Sequence, residues 1–168
     1  GLGTEIPVVE GGACEVGIES TIVSVSGDTW QLLRPGMITV DSLTAIAGKP
    51  PQQQATTPKA PGQHLLHYSP RTPSLLLPRE ALMQRLQVAP GAVALLFGEA
   101  LPTAAATHCI VLPASPAAAA EQLYAALHTL DALHAPLLLI ELPPAQPAWA
   151  AVQDRLQRAA YQPDTNRD

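Results

Sequence analysis

Three short motifs hold the side chains of this chain that are best suited to bind a charged ligand. They are residues 17–23 (GIESTIV), residues 33–36 (LRPG) and residues 67–70 (HYSP). Their hydroxyl, guanidinium and ring groups stand beside expected strand ends or turns, which are places where proteins commonly hold phosphate. Together the motifs predict a site for a phosphorylated ligand, most simply a nucleotide.

Ser20 and Thr21 come directly before a β-branched run at residues 22–25. A hydroxyl at a strand start can donate to a carboxylate or phosphate oxygen beside exposed backbone N–H groups. It can equally satisfy local backbone groups, so a purely structural role stays open. Arg34 precedes a Pro-Gly turn, and it could bind phosphate with its planar fork or be an ordinary surface or salt-bridge arginine.

The third motif adds His67 and Tyr68, and His64 lies three residues before His67. On a helix that spacing would bring two metal ligands together, but prolines bracket the segment and the sequence offers no evident third ligand, so we predict no metal site. Tyr68 has an alternative role as a packing residue between domains.

The pattern of residues 1–48 predicts the β-rich end of a larger unit. Apolar runs at 22–25 and 30–33 flank a Ser-Gly-Asp turn, which predicts a hairpin, and a further short run stands at 8–9. Residues 42–47 can form a short helix that Gly48 closes. A segment of this size rarely holds a core by itself, so we expect a missing amino-terminal portion. The first residue is Gly rather than Met, which agrees with that expectation.

Residues 49–73 are rich in Pro, Gln and Thr and predict a linker. From residue 74 to 162, apolar strands at 75–77, 93–97, 109–112 and 137–141 alternate with helical patterns at 80–86, from Ser115 to about residue 133, and around 149–156. Apolar strands separated by helices predict a parallel sheet covered on both faces. The fold class is therefore α/β, a small Rossmann-like three-layer domain, with residues 163–168 as a tail.

Composition limits the function classes. The 168 residues carry a net charge of −5 and only two lysines, Lys49 and Lys59, which argues against direct binding of tRNA or another nucleic acid backbone. Cys14 and Cys109 form no close pair, so neither a disulfide framework nor a zinc site is indicated. No apolar run reaches the ~20 residues that span a bilayer. We expect a cytoplasmic protein.

The three motifs, in this order and spacing, resemble the carboxy-terminal half of the long-form threonylcarbamoyl-AMP synthases. GIESTIV and LRPG look like the end of the YrdC-like catalytic domain, and residues 61–70 look like its interdomain linker. The remainder resembles the accessory α/β domain, including Leu130-Asp131 and Asp154-Arg155-Leu156.

This resemblance implies a nucleotidyltransferase that joins L-threonine, bicarbonate and ATP into threonylcarbamoyl-AMP and pyrophosphate for tRNA modification. It implies that Ser20 and Thr21 contact L-threonine, that Arg34 contacts the ATP phosphates, and that His67 and Tyr68 cover the nucleotide. Mg²⁺ would accompany the ATP. No residue is implied as a nucleophile, because the reacting groups belong to the substrates.

Two further expectations follow. Residues 1–73 contain four cationic residues, Arg34, Lys49, Lys59 and Arg71, fewer than a triphosphate normally requires, so the chain alone should have little or no synthase activity. The alternative function is a non-catalytic, nucleotide-responsive binding or regulatory module.

Overall fold

The computed structural model describes residues 7, 9, 11–12, 15–52, 69–101 and 108–160. Across these ranges the chain forms a two-stranded antiparallel sheet and a four-stranded parallel sheet. The elements in chain order are β1 (Ile22–Ser26), β2 (Thr29–Arg34), α1 (Val40–Ala47), β3 (Ser74–Leu77), α2 (Arg79–Gln87), β4 (Val93–Phe97), β5 (His108–Leu112), α3 (Pro116–Asp131), β6 (Leu138–Glu141), a 3-10 turn at Pro147–Trp149, and α4 (Ala150–Ala159).

The predicted hairpin and the helix after it are confirmed. β1 pairs with β2 around the turn that contains Gly27. The helix α1 begins two residues earlier than the predicted residue 42, because Thr39 is its N-cap and accepts a 3.2 Å hydrogen bond from the Ser42 N–H. Gly48 ends the helix in the left-handed conformation, with φ of 71°.

The parallel sheet has the strand order β3-β6-β4-β5. Residues of β4 alternate between the two sides: Val93, Leu95 and Phe97 pack with α3 and α4, whereas Ala94 and Leu96 pack with α2. All five β4 residues are buried, which explains why this strand reads as a continuous apolar run. The prediction of a three-layer α/β unit is confirmed.

Further details differ from the sequence expectations. The helix α3 ends at Asp131 rather than near residue 133, and Ser115 occupies its N-cap position without a capping side-chain hydrogen bond. Val9 lies outside any strand and is 91% exposed, while Val8 falls outside the described residues.

In the described part of the chain, none of the helices has the length and apolar content to cross a membrane.

The core between α3 and the sheet supports a stability prediction. Leu123 is fully buried there, whereas Leu133, just past the end of the same helix, is 43% exposed. We expect Leu123→Ala to lower the free energy of unfolding by about 2–5 kcal/mol, since it removes a buried side chain and leaves a cavity. Leu133→Ala is the matched control and should change it little. Urea unfolding measures both, and equal losses would contradict the packing described.

Candidate functional site

Ser20 and Arg34 lie side by side at one end of the hairpin. Arg34, the last residue of β2, donates from Nε to the Ser20 carbonyl oxygen at 3.0 Å and from Nη2 to Ser20 Oγ at 3.2 Å. Arg34 is 7% exposed, whereas Ser20 is exposed. The structure thus brings together the two residues that the sequence singled out, and Arg34 is buried rather than on the surface.

This contact determines what the Ser20 hydroxyl can do. Its oxygen accepts a hydrogen bond from Arg34, so its own proton can be donated to a ligand oxygen. The adjacent guanidinium supplies fixed positive charge at a partly shielded position. The pair is suited to an anionic or carboxylate-bearing ligand.

Thr21 is held by a different contact. Its hydroxyl donates to the Ile38 carbonyl oxygen at 2.9 Å, so its proton has the structural role that the sequence left open. Gly36 lies directly against the same backbone, because a methyl group placed on Gly36 would stand 2.2 Å from the Thr21 amide nitrogen. The glycine of LRPG therefore permits the close approach of the turn to residues 20–21.

The first half of the GIESTIV motif faces the α/β unit. Gly17 has φ of 69°, and a methyl group on it would lie 2.3 Å from the Glu121 Cα in α3. Ile18 is 8% exposed and belongs to the same core cluster as Leu123 and Leu127. The chain before β1 is thus packed into the α3 side of the parallel sheet.

Glu19 joins this segment to both helices on that side. Its Oε2 accepts a 3.0 Å hydrogen bond from the Tyr124 hydroxyl of α3 and forms an ion pair with Arg155 Nε of α4. The Arg155 side chain is 2% exposed and that of Glu19 is 23% exposed. Arg155 also lies 3.7 Å from an Asp154 carboxylate oxygen. No local pattern in the sequence predicts this link.

The start of the predicted linker is fastened to β2. Trp30, a buried residue of that strand, donates from Nε1 to the Lys49 carbonyl oxygen at 2.8 Å. Its own carbonyl oxygen accepts a 2.8 Å hydrogen bond from the Gln52 N–H. The predicted linker therefore leaves the hairpin from a fixed position. His64, His67 and Tyr68 lie outside the described residues.

The end of the predicted linker is fastened to the α/β unit. Ser69 Oγ donates to the Arg158 carbonyl oxygen at 3.0 Å, and the Thr72 N–H donates to Asp131 Oδ1 at 2.8 Å. Arg158 itself binds the Asp154 carboxylate through two hydrogen bonds. These bonds outweigh the effect of burial and raise the pKa of Arg158, so its side chain stays charged.

A small cavity of about 70 Å³ lies beside this anchor and is lined by Ser69, Pro70, Tyr124, Leu127, His128 and Asp131. It is much smaller than the roughly 300 Å³ at which ligand pockets begin.

In the described ranges, no three His, Cys, Asp or Glu side chains group as a metal ion would require. Cys109 is a free thiol, and burial raises its pKa although the residue as a whole is exposed.

The fold and the site define a class of protein: a parallel α/β unit joined to a hairpin whose end carries a candidate anion-binding pair. Comparison with known sequences makes this more specific. Residues 38–161 match the family model described as threonylcarbamoyl-AMP synthase, C-terminal domain. That match takes in more than half of the chain, so the chain belongs to the threonylcarbamoyl-AMP synthase family.

Two curated relatives are named threonylcarbamoyl-AMP synthase. The Bacillus subtilis protein is 38% identical over an alignment of 71 residues, and the match covers 39% of this chain and 20% of that protein. The Schizosaccharomyces pombe protein is 34% identical over an alignment of 84 residues, and the match covers 43% of this chain and 21% of that protein. The matched region is therefore about a fifth of each relative.

Two solved structures share the fold. P. abyssi Sua5 complexed with L-threonine superposes with a TM-score of 0.73 at 23% identity, over 90% of this chain and 48% of that one. A variant of the same protein, with an adjacent His and Tyr both replaced by Ala, gives a TM-score of 0.68 at 22% identity, over 87% and 46% of the two chains. This chain thus spans about half the length of those structures.

The contact between Gly36 and the Thr21 backbone leads to a testable expectation. Gly36→Ala should lower the free energy of unfolding by about 1–3 kcal/mol, because the added methyl group must displace backbone rather than a flexible side chain. It should also shift the Ser20 amide resonance in an NMR spectrum. Gly11→Ala is the control, since nothing lies within 4 Å of a methyl group at Gly11. Equal effects of the two variants would show that Gly36 does not hold this end of the site.

The Asp131 anchor predicts a dependence on pH. Burial alone would raise the pKa of Asp131, but hydrogen bonds from Thr72 and Arg71, with the Arg71 charge, outweigh it and hold that pKa below its ordinary value. The carboxylate therefore stabilises the fold above the unfolded pKa of about 3.9, and this contribution is lost as pH falls through the lower folded value. The stability difference between wild type and Asp131→Asn should be constant near neutral pH and shrink below about pH 4. Urea unfolding from pH 7 to 3 checks this, and a constant difference would contradict it.

Proposed function

We propose that this chain is the carboxy-terminal part of an enzyme that makes threonylcarbamoyl-AMP and pyrophosphate from L-threonine, bicarbonate and ATP. The product is the activated intermediate for threonylcarbamoyladenosine in tRNA. The Ser20–Arg34 pair carries the proposal, because it sets a donor hydroxyl beside a fixed positive charge. Family membership supplies the reaction class.

In the proposed reaction, the nucleophiles come from the substrates. The threonine amine attacks the carbon of bicarbonate, and loss of water as the C–O bond breaks gives a carbamate. A carbamate oxygen then attacks the α-phosphorus of ATP, and the bond to pyrophosphate breaks. The protein's contribution is to position the reactants, stabilise the phosphate charge and exclude water. This chemistry makes the enzyme a nucleotidyltransferase and explains why we assign no catalytic nucleophile to the chain.

Within this proposal Ser20 and Thr21 belong to the L-threonine subsite. The exposed Ser20 hydroxyl can donate its proton to the substrate carboxylate, while the Thr21 oxygen can accept. The presence of L-threonine in the P. abyssi structure supports this choice of substrate. Arg34 supplies positive charge toward the ATP phosphates from behind Ser20. Mg²⁺ would arrive with the ATP, coordinated by phosphate oxygens.

His67 and Tyr68 are proposed to cover the nucleotide. A His-Tyr dipeptide occurs once in this sequence, at these positions. The proposal rests on the resemblance of residues 61–70 to the interdomain linker of the family. We place the dipeptide in a linker, residues 49–73, between the catalytic end at 1–48 and the accessory domain at 74–162.

The hairpin carries an apolar surface that we propose is covered by the amino-terminal part of the same catalytic domain. A groove of about 340 Å³ runs between β1 and α1, and Val25 and Ile46 beside it are 71% and 84% exposed. Two-stranded sheets are marginal in isolation, and the relatives extend well beyond the matched region. That further part would also supply the missing cationic residues for the triphosphate.

We further propose a cytoplasmic location and no direct contact with tRNA. The first rests on the absence of a disulfide pattern in the sequence. The second rests on the net charge of −5, which gives little attraction for a phosphate backbone.

Restoring the upstream coding sequence gives the direct test of function. We expect the extended protein to release pyrophosphate only when both L-threonine and bicarbonate are present, and this chain alone to release little or none. Arg34→Ala should lower kcat/KM about 10- to 100-fold, the loss expected for charge-assisted hydrogen bonds, and Ser20→Ala about 10-fold.

Arg85→Ala is the control, since Arg85 is exposed on α2, on the other face of the sheet. Its rates should match wild type. ATP binding by the extended protein without any threonine-dependent pyrophosphate release would favour the regulatory-module alternative instead. Unchanged rates in both site variants would refute the roles given to Ser20 and Arg34.

A further inference from the structure

We infer that Arg155, in the accessory α/β unit, is a positioning residue for Ser20 and acts through Glu19. The inference deepens the proposed function and rests on it for the substrate that Ser20 contacts. The placement itself rests on contacts within the described residues. It gives the accessory unit a direct part in shaping the threonine subsite.

The first step is the covalent neighbourhood of Ser20. Glu19 precedes it in the chain, and the Glu19 carboxylate is held by Arg155 Nε and by the Tyr124 hydroxyl at 3.0 Å. The Arg155 side chain is 2% exposed, so water competes little for its charge, and a charge-assisted hydrogen bond of this kind is directional. The position of the Glu19 backbone is thereby tied to α4.

The second step is that the backbone is held in place on both sides of Glu19. Gly17 touches the α3 backbone so closely that no side chain fits, and Ile18 is buried in the core. On the other side, Arg34 binds the Ser20 carbonyl and hydroxyl oxygens. Ser20 is therefore fixed between one arginine of the hairpin and one arginine of α4, and a change at Arg155 is transmitted to it.

The third step separates this role from general stabilisation. The α/β unit contains another ion pair, in which Arg79 Nη1 binds both Glu141 oxygens at 3.0 and 3.1 Å, and in which the side chains of Arg79 and Glu141 are 30% and 10% exposed. That pair joins the start of α2 to the end of β6, and its further hydrogen bonds, to Glu99, Ala100 and Phe97, lie within the α/β unit. A purely structural role would make loss of either arginine equivalent for Ser20, whereas a positioning role makes only Arg155 matter.

Hydrogen–deuterium exchange on this chain tests the placement. We expect Arg155→Met to speed exchange in peptides covering residues 17–22 by about ten-fold, as one charge-assisted hydrogen bond is lost. Arg155→Lys should restore part of the protection, because lysine keeps the charge. Tyr124→Phe, which removes only a hydroxyl, provides a mild variant should Arg155→Met fold poorly. Arg79→Met is the matched control and should leave these peptides unchanged.

Steady-state kinetics on the extended protein test the consequence for the site. Arg155→Met and Glu19→Gln should each raise KM for L-threonine about ten-fold, with a smaller change in KM for ATP, since a displaced subsite binds its own substrate poorly. The double variant should resemble the single variants rather than multiply their effects, because both remove the same link. Arg79→Met should leave the ratio of the two KM values at its wild-type value.

The outcomes are distinguishable. Unchanged exchange in residues 17–22, or an equal change in the Arg79→Met control, would overturn the inference, and so would an unaltered KM for L-threonine in an active enzyme. If the extended wild-type protein makes no product, the proposed function fails while the exchange experiment still decides whether Arg155 holds the strand before Ser20.

Discussion

The candidate site depends on a contact between the chain that precedes β1 and two helices that follow much later in the sequence. Glu19 and Tyr124, which hydrogen-bond directly, are 105 residues apart. A hairpin of two strands gains little stability from its own ladder, so this packing, with the capped α1 beside it, fixes where the hairpin stands. The geometry of the Ser20 hydroxyl follows from that arrangement.

One five-residue stretch, 17–21, serves two neighbours. Its first three residues face the α/β unit: Gly17 permits close approach, Ile18 fills the core, and Glu19 makes the ion pair. Its last two residues face the LRPG turn, where Arg34 binds Ser20 and Gly36 lies against Thr21. The two motifs are therefore parts of a single contact, and steric fit and charge constrain their residue types.

Much of the fold could be predicted because its signals are local. The apolar run of β4, the helical pattern after Ser115 and the glycine after α1 each indicate an element within a short window. The link from Glu19 to Arg155 could not be predicted in this way: the glutamate lies in a turn-like stretch, and an arginine on an amphipathic helix normally points to solvent. The proximity of Gly36 to Thr21 was likewise hidden, since a Pro-Gly turn indicates a bend without saying what packs against it. Tertiary packing decides both.

The burial of Ile18 has a consequence for how two halves of the chain, the segment with the hairpin (residues 15–52) and the α/β unit, hold together. Because this side chain is part of the core beneath α3, and Glu19 is bonded to α3 and α4, the halves are joined by non-covalent contacts besides the polypeptide that connects residues 52 and 69. A protease cut in that connecting stretch would yield two fragments that migrate separately under denaturing conditions yet co-elute as one species in native buffer. The α/β unit is therefore bound to the hairpin segment by side-chain contacts as well as by the connecting chain.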